Sequence, residues 1–248
     1  MTIAESIATV RENIARVQAA SQLAAPSVLL LGVTKTQPVE KMRLAEAAGI
    51  TDFGENRVQE MMSKYEEFPN INWHLIGHLQ TNKVKYIIGR TVLIHSLDSI
   101  ALAQEIEKRS AAADIITNAL VQLNIAEEDT KSGLHEEELA DFLEAMADYP
   151  HLRIQGLMTI GPHVEAPEEI RPVFAQLRKL YQREKQRELP HLDFRFLSMG
   201  MSYDYAIAVE EGAKDVYKRQ LLDCQEAFYF CELFYALWQV IRSCWQKY

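Results

Sequence analysis

The sequence predicts an α/β protein of the TIM type, a (β/α)₈ barrel preceded by one helix. Strand-like and helix-like segments alternate over residues 28–211 with short connections, which is the pattern of a parallel sheet with right-handed crossovers. Seven such units fit into roughly 190 residues, as in a barrel. The dinucleotide-binding pattern Gly-x-Gly-x-x-Gly does not follow the first strand, which disfavours an open doubly wound sheet.

The first element is an amphipathic helix near the N-terminus. Thr2, followed three residues later by Glu5, has the spacing of a capping box. An apolar stripe at helical spacing follows, formed by Ile3, Ile7, Val10, Ile14 and Val17. Charged residues interrupt this segment throughout, unlike a signal peptide, and we therefore expect a cytoplasmic protein.

Seven segments are predicted as strands. The first, at 28–34, is a continuous apolar run between Pro26 and Pro38, which is typical of a strand buried on both faces. The other strands are predicted at 51–53, 73–76, 92–95, 118–125, 153–158 and 194–197. The intervening helices are predicted at 38–48, 56–68, 81–88, 99–112, 136–149, 167–186 and 202–211.

The eighth strand is expected near residues 213–222, but that segment is too polar for an interior barrel strand. We therefore expect the eighth strand to be missing or replaced. Residues 1–213 are predicted to form the barrel, and residues 214–248 a helical tail. The tail holds all three cysteines, which we interpret as free thiols because no pair has metal-ligand spacing with a nearby histidine.

Charge and hydropathy disfavour binding to nucleic acid and insertion into a membrane. The net charge of −9 and the pI near 5.3 disfavour a nucleic-acid surface. The apolar segment at 227–241 is short for a bilayer and contains Glu232, which disfavours a membrane span.

Polar residues follow the predicted strands, at the end where α/β barrels keep their active sites. Lys35 ends the first strand, and its amine could form a Schiff base with an aldehyde; a solvated lysine closing the strand is the alternative. Residues 198–202 hold two hydroxyls and one glycine before a helix, which fits a phosphate site, although Ser202 could simply be the helix N-cap. No metal site is expected, because His74, His78 and His95 have no carboxylate at a helpful spacing.

Several motifs in the same order resemble one family, the pyridoxal phosphate homeostasis proteins, whose barrel is similar to the N-terminal domain of alanine racemase. The resemblance covers roughly residues 3–212. Its motifs are LGVTK at 31–35, FGENRVQE at 53–60, WHLIGHLQTNK at 73–83, HSLD at 95–98, QLNI at 122–125, KSG at 131–133, GLM at 156–158 and LSMGMS at 197–202.

The resemblance implies a protein that binds and buffers pyridoxal 5′-phosphate, without established catalysis. It implies that Lys35 holds the cofactor as a Schiff base and that Asn56 lies near the cofactor ring. Ser198, with Met199 and Gly200 in the following turn, is implied to contact the phosphate. Enzymes that require pyridoxal phosphate and lack it are the implied protein partners.

The chain departs from this family after about residue 212. The family's next strand carries an arginine at the pyridine nitrogen and then a Gly-Thr pair that completes the phosphate site, and neither is recognisable here. We therefore expect the residues from about 214 onward to be foreign to the family, from a frameshift or a joining of sequences.

The alternative function is an enzyme, either a racemase or decarboxylase that uses the cofactor or an aldolase that uses Lys35 alone. Glu55 is the acid–base candidate for an aldolase. We expect a binding protein rather than an enzyme, because a racemase of this fold needs a second base from a separate domain.

Overall fold

Parallel strands form a closed barrel in this computed structural model, which describes residues 1–25, 27–127, 132–162, 164–218 and 222. The strands within these residues are β1 Leu29–Val33, β2 Asp52–Glu55, β3 Asn72–Leu75, β4 Leu93–Leu97, β5 Thr117–Leu123, β6 Leu152–Thr159, β7 Leu192–Ser198 and β8 Asp215–Lys218. Each strand pairs with its neighbours along the chain, and β8 pairs with β1. The predicted TIM-type barrel is confirmed.

Helices follow most strands and cover the outside of the barrel. The α-helices of the described residues are α1 Ile3–Ala20, α2 Val39–Ala47, α3 Val58–Lys64, α4 Ile100–Ala113, α5 Leu139–Ala145, α6 Arg171–Lys185 and α7 Tyr205–Glu210. The segment predicted as a helix at 81–88 forms the 3₁₀ helix Thr81–Tyr86 instead. The last predicted helix, at 202–211, begins later than expected, because residues 201–204 form a turn in which Asp204 accepts a hydrogen bond from the Met201 N–H.

The N-terminal helix agrees with its prediction. The Thr2 hydroxyl accepts a hydrogen bond from the Glu5 N–H, and the Glu5 carboxylate accepts one from the Thr2 N–H. All five residues of the predicted apolar stripe are buried. The helix packs against α2, which follows β1, and against α7, which precedes β8. The stripe therefore anchors the N-terminus to the first and the last units of the barrel.

The expectation that the eighth strand is missing is wrong, because β8 closes the barrel. That its residues replace the strand of the family stays a prediction. Leu29, Leu30, Leu31 and Gly32 of β1 pair in parallel register with residues 215–218. Pairing in a sheet uses backbone N–H and C=O groups, so a segment with polar side chains can satisfy the edge of β1. The barrel therefore extends through residue 218, five residues beyond the boundary predicted at 213.

The remaining predictions for the tail, a helix and three free thiols, lie outside the described residues. Within the ranges that the structure describes, no helix is both long enough and apolar enough to cross a membrane.

The core divides into an outer part and an inner part, because successive strand side chains point to opposite faces of the sheet. The outer part lies between strands and helices and includes the edge-to-face aromatic group of Phe53, Phe68 and Trp73. Two small apolar clusters form separately on the inner face, and they consist of Leu31, Val33 and Ile76, and of Leu93, Leu120 and Met158 with Phe196.

Gly156→Ala is expected to destabilise the barrel far more than the matched change Gly89→Ala. Both glycines have positive φ, +146° and +77°, so both substitutions add backbone strain of roughly 1–3 kcal/mol. A Cβ at Gly156 in β6 would lie 1.8 Å from the Phe196 carbonyl oxygen of β7, whereas the nearest atom at Gly89 is 3.6 Å away. We expect the free energies of unfolding in urea to differ by at least about 2 kcal/mol. Equal losses would contradict this close approach of β6 and β7.

Candidate functional site

The predicted site residues follow three strands of the barrel. Lys35 lies two residues after β1, Asn56 directly follows β2, and Ser198 is the last residue of β7. Met199 and Gly200 continue from Ser198 towards α7. Because the described strands are parallel, their carboxyl ends lie at the same end of the barrel, and the structure brings all five residues to that end.

Lys35 lies at the mouth of the barrel. The alternation along β1 puts it on the same side as Leu31 and Val33, which form the inner cluster with Ile76. Lys35 itself is half-buried in the turn after the strand. Its amine has no hydrogen-bond or ion-pair partner among the described residues, so it is available to an electrophile or an anion that enters the mouth.

Glu55, the acid–base candidate for an aldolase, is turned away from this mouth. Its side chain is fully buried, and Oε1 accepts hydrogen bonds from the Thr34 hydroxyl at 2.7 Å and from Lys64 Nζ at 2.8 Å. Burial raises the pKa of the Glu55 carboxyl, although these two hydrogen bonds oppose the rise. Glu55 therefore joins β1 to α3 on the outer face of the sheet.

Asn56 is half-buried, and its backbone is packed closely against the end of β3. A Cβ on Gly77 would lie 2.4 Å from the Asn56 carbonyl oxygen and 2.8 Å from its Cα. Only glycine allows this approach, which holds the segment after β2 against the segment after β3. The position of Asn56 is thus set by backbone contact.

The turn after β7 is tightly packed. Ser198 and Met199 are fully buried. Gly200 has φ +92°, and a Cβ there would lie 2.4 Å from the Ala208 Cβ of α7, so glycine is required both for the backbone conformation and for space. The N-cap of α7 is Asp204 and not Ser202. The Met201 N–H donates to the Asp204 side chain, so this backbone donor is already used within the turn.

A buried polar chain, which the sequence pattern did not predict, crosses the barrel interior to Ser198. His74 Nε2 lies 3.0 Å from Asp52 Oδ1, His74 Nδ1 lies 2.9 Å from His95 Nε2, and His95 Nδ1 lies 3.4 Å from Ser198 Oγ. Burial would raise the pKa of Asp52, but hydrogen bonds from His74 and Thr51 outweigh it and lower the pKa. Burial, and secondarily the neighbouring His74, hold the pKa of His95 well below its ordinary value.

These hydrogen bonds assign the ring protons when both histidines are neutral. The Asp52 carboxylate accepts from His74 Nε2–H, so His74 Nδ1 accepts from His95 Nε2–H. His95 Nδ1 then has a lone pair directed towards the Ser198 hydroxyl. The chain thus brings an acceptor to that hydroxyl from inside the barrel.

Asp215 introduces a second buried carboxyl at the same place. It is the register partner of Ser198 across β7 and β8, is fully buried, and has Oδ2 3.6 Å from His95 Nδ1. Burial raises the pKa of Asp215 to about 7. An anion bound at Ser198 would be repelled by the ionised carboxylate and tolerated by the protonated acid. The part of the candidate phosphate site beside Asp215 therefore suits an anion only when the Asp215 carboxyl is protonated.

The three histidines considered as metal ligands do not converge. His74 and His95 face the interior, whereas the His78 side chain is 57% exposed and lies 3.4 Å from Asp98. The described residues contain no group of histidine, cysteine, aspartate or glutamate side chains that could hold a metal ion.

One sequence signal could have predicted the buried polar chain. Asp52, His74 and His95 all lie on or beside predicted strands.

The chain matches the family described as alanine racemase, N-terminal domain, over residues 6–215. It is 47% identical over 189 residues to the pyridoxal phosphate homeostasis protein of Aquifex aeolicus, covering 74% of this chain and 81% of that protein. It is 35% identical over 217 residues to the protein of the same name from Pasteurella multocida, covering 86% and 93%.

Two solved structures are similar to this one. PipY of Synechococcus elongatus, solved with PLP bound, superimposes with a TM-score of 0.77 at 34% identity, covering 89% of this chain and 99% of that chain. The alanine racemase of Clostridium difficile, in complex with cycloserine, has a TM-score of 0.66 at 14% identity, covering 86% of this chain and 58% of that chain, and it shares the fold.

Asp215→Asn is expected to change how stability depends on pH. The Asp215 carboxyl ionises near pH 4 in the unfolded chain but near pH 7 in the folded protein, so its stabilising contribution is complete below about pH 4 and is lost as the pH rises through about 7. The asparagine variant lacks this loss. At roughly 1.4 kcal/mol per pKa unit, it should gain a few kcal/mol relative to wild type between pH 4.5 and 8.

The measurement is urea unfolding of both proteins at several pH values. Asp52 titrates in both proteins, so its effect cancels in the difference between the two curves. His95 lies 3.6 Å from Asp215, so the difference reports Asp215 together with its coupling to His95. Parallel curves would contradict a buried carboxyl with a raised pKa.

Proposed function

Because the chain belongs to the family of pyridoxal phosphate homeostasis proteins, we propose that it binds pyridoxal 5′-phosphate at the carboxyl end of the barrel and takes part in the homeostasis of that cofactor. The observation that carries the proposal is Lys35, a half-buried lysine on the inner side of the strand end, with no ion-pair partner among the described residues. A storage site needs such an amine, because a primary amine and an aldehyde join reversibly with loss of water.

The residues at the barrel mouth would meet three parts of the cofactor, which are its aldehyde, its ring and its phosphate. Lys35 would hold the aldehyde carbon as a Schiff base, and Asn56 would lie near the ring. Ser198, Met199 and Gly200 would receive the phosphate, supported by the positive φ of Gly200 and by the buried hydroxyl of Ser198. Asp215 opposes the phosphate when ionised, so we expect binding to be tighter below pH 7 than above it.

We further propose that the protein holds the cofactor without turning over a substrate. The bound cofactor supplies an electrophilic carbon and an electron sink, and catalysis needs an acid or base placed beside it. Glu55 is engaged by Thr34 and Lys64 on the outer face of the sheet, which supports a holding role. The relatives' name, homeostasis protein, agrees with that role.

Release of the cofactor to enzymes that require it completes this proposal. A reversible Schiff base allows such release, because water or another amine can displace Lys35. A cytoplasmic location, where such enzymes would be met, stays a prediction.

Lys35→Ala should abolish covalent capture of the cofactor. Wild-type protein mixed with pyridoxal phosphate should gain a visible absorbance band, and reduction with borohydride should fix the pyridoxyl group on the peptide that contains Lys35. Lys85→Ala, at an exposed lysine of the 3₁₀ helix, serves as the matched control and should behave as wild type. A colourless wild type, or a Lys35→Ala variant that keeps the band, would overturn the proposal.

Amino acids added to the loaded wild type should be racemised, decarboxylated or cleaved no faster than by free pyridoxal phosphate. The measurement is chiral chromatography of the amino acids over time. Turnover above that background, lost in Lys35→Ala, would establish the enzyme alternative instead.

A further inference from the structure

The turn that carries Lys35 has a strained backbone. The Gln37 N–H donates to the Thr34 carbonyl at 3.0 Å, so Lys35 and Thr36 are the two central residues of a four-residue turn. Thr36 has φ +60°, a left-handed conformation that β-branched residues rarely adopt and that glycine or asparagine usually occupies in such turns. Something outside the turn must hold it in this shape.

Helix α3 supplies the groups that hold it. The Thr36 N–H donates to Glu60 Oε1 at 2.5 Å, and Lys64 Nζ donates to the Thr34 carbonyl at 2.8 Å. Glu60 and Lys64 lie four residues apart on the helix and are themselves 2.8 Å apart. One carboxylate and one ammonium thus bind the backbone immediately before and immediately after Lys35.

The Glu60–Lys64 pair is stronger than a surface ion pair. The Lys64 side chain is 9% exposed and its ammonium donates to Thr34, Glu55 and Glu60, so its three protons are all used. Burial would raise the pKa of Glu60, but the hydrogen bonds from Lys64 and Thr36 outweigh it and lower the pKa. The Glu60 carboxylate therefore remains charged at neutral pH.

The two lysines near this turn have different tasks. Lys64 has its protons committed to three acceptors, which makes it a poor nucleophile. The adjacent Thr36 hydroxyl donates to the Lys35 carbonyl at 2.6 Å, whereas no hydrogen bond within the described residues uses the Lys35 amine.

We propose that Glu60 and Lys64 are positioning residues for Lys35, which hold the strained Thr34–Gln37 turn so that the Lys35 amine meets the carbonyl of the ligand in a reactive orientation. This inference rests on the proposed function. Fixing the backbone on both sides of one side chain restricts where that side chain can point, so less conformational entropy is lost when the covalent bond forms. In this proposal Glu60 and Lys64 act through the backbone of the turn and not by contact with the ligand.

The test compares two ligands that differ only at the reacting carbon. Pyridoxal phosphate can form the Schiff base, whereas pyridoxine phosphate has an alcohol in place of the aldehyde and binds without it. The ratio of their affinities isolates the covalent step. In Glu60→Ala we expect this ratio to fall about tenfold, equivalent to about 1.4 kcal/mol, while pyridoxine phosphate binds within about twofold of wild type. Glu66→Ala, at an exposed glutamate just beyond α3, is the matched control and should leave both affinities unchanged.

A rescue variant separates positioning from general stability. Glycine adopts φ near +60° without strain, so Thr36→Gly added to Glu60→Ala should recover most of the lost ratio. If Glu60→Ala does not fold, Glu60→Gln carries the test, because its amide oxygen still accepts a hydrogen bond but lacks the charge that attracts Lys64. There we expect about a threefold loss of the ratio.

An unchanged ratio in the folded Glu60 variant would overturn the inference and leave the proposed function intact. Equal weakening of both ligands would also overturn it, since that pattern indicates loss of structure around the whole site. A wild type that forms no Schiff base would overturn the inference and the proposed function together.

Discussion

The pairing of β1 with β8 is the constraint on which the rest of the structure depends. A parallel strand at the edge of a sheet leaves a row of backbone groups unpaired, and β8 satisfies that row on β1. Closure also brings the end of β7 to within one strand of β1. The lysine after β1 and the turn after β7 therefore open onto the same mouth. Residues 215–218 could perform this task despite their polarity, because closure uses the backbone.

The alternation of side chains along β1 places the neighbouring residues Thr34 and Lys35 on opposite faces of the sheet. Thr34 belongs to the outer face of β1, where its hydroxyl and carbonyl meet Glu55 and Lys64. Lys35, one residue later, belongs to the inner face with Leu31 and Val33. A charged helix pair can thus act on the backbone beside Lys35 without competing for its amine. The outer face stabilises the turn, and the Lys35 amine on the inner side takes no part in these contacts.

Buried polar side chains inside the barrel meet at the end of β7. Asp52, His74 and His95 form a hydrogen-bonded chain that reaches Ser198, so the hydroxyl at the end of β7 has a buried partner inside the barrel. Asp215 lies beside the same hydroxyl and becomes a charge near pH 7. If Ser198 receives the phosphate as proposed, the interior therefore both supplies a polar partner for that site and makes the site depend on pH. The match to the alanine racemase N-terminal domain ends at residue 215, so the residue that opposes the anion lies where the family resemblance stops.

The sequence by itself determined the elements that depend on local pattern. The capping box at Thr2, the apolar stripe of α1 and the apolar run before Lys35 needed no knowledge of distant residues, and the order of the strands predicted a barrel with Lys35 and Ser198 at its carboxyl end. The tertiary structure alone decided whether β8 exists, which face Glu55 occupies and what holds Thr36. Each of these depends on a partner far away in sequence or on a register that shifts by one residue. A one-residue shift moves a side chain to the other face of the sheet, and local sequence pattern does not specify that choice.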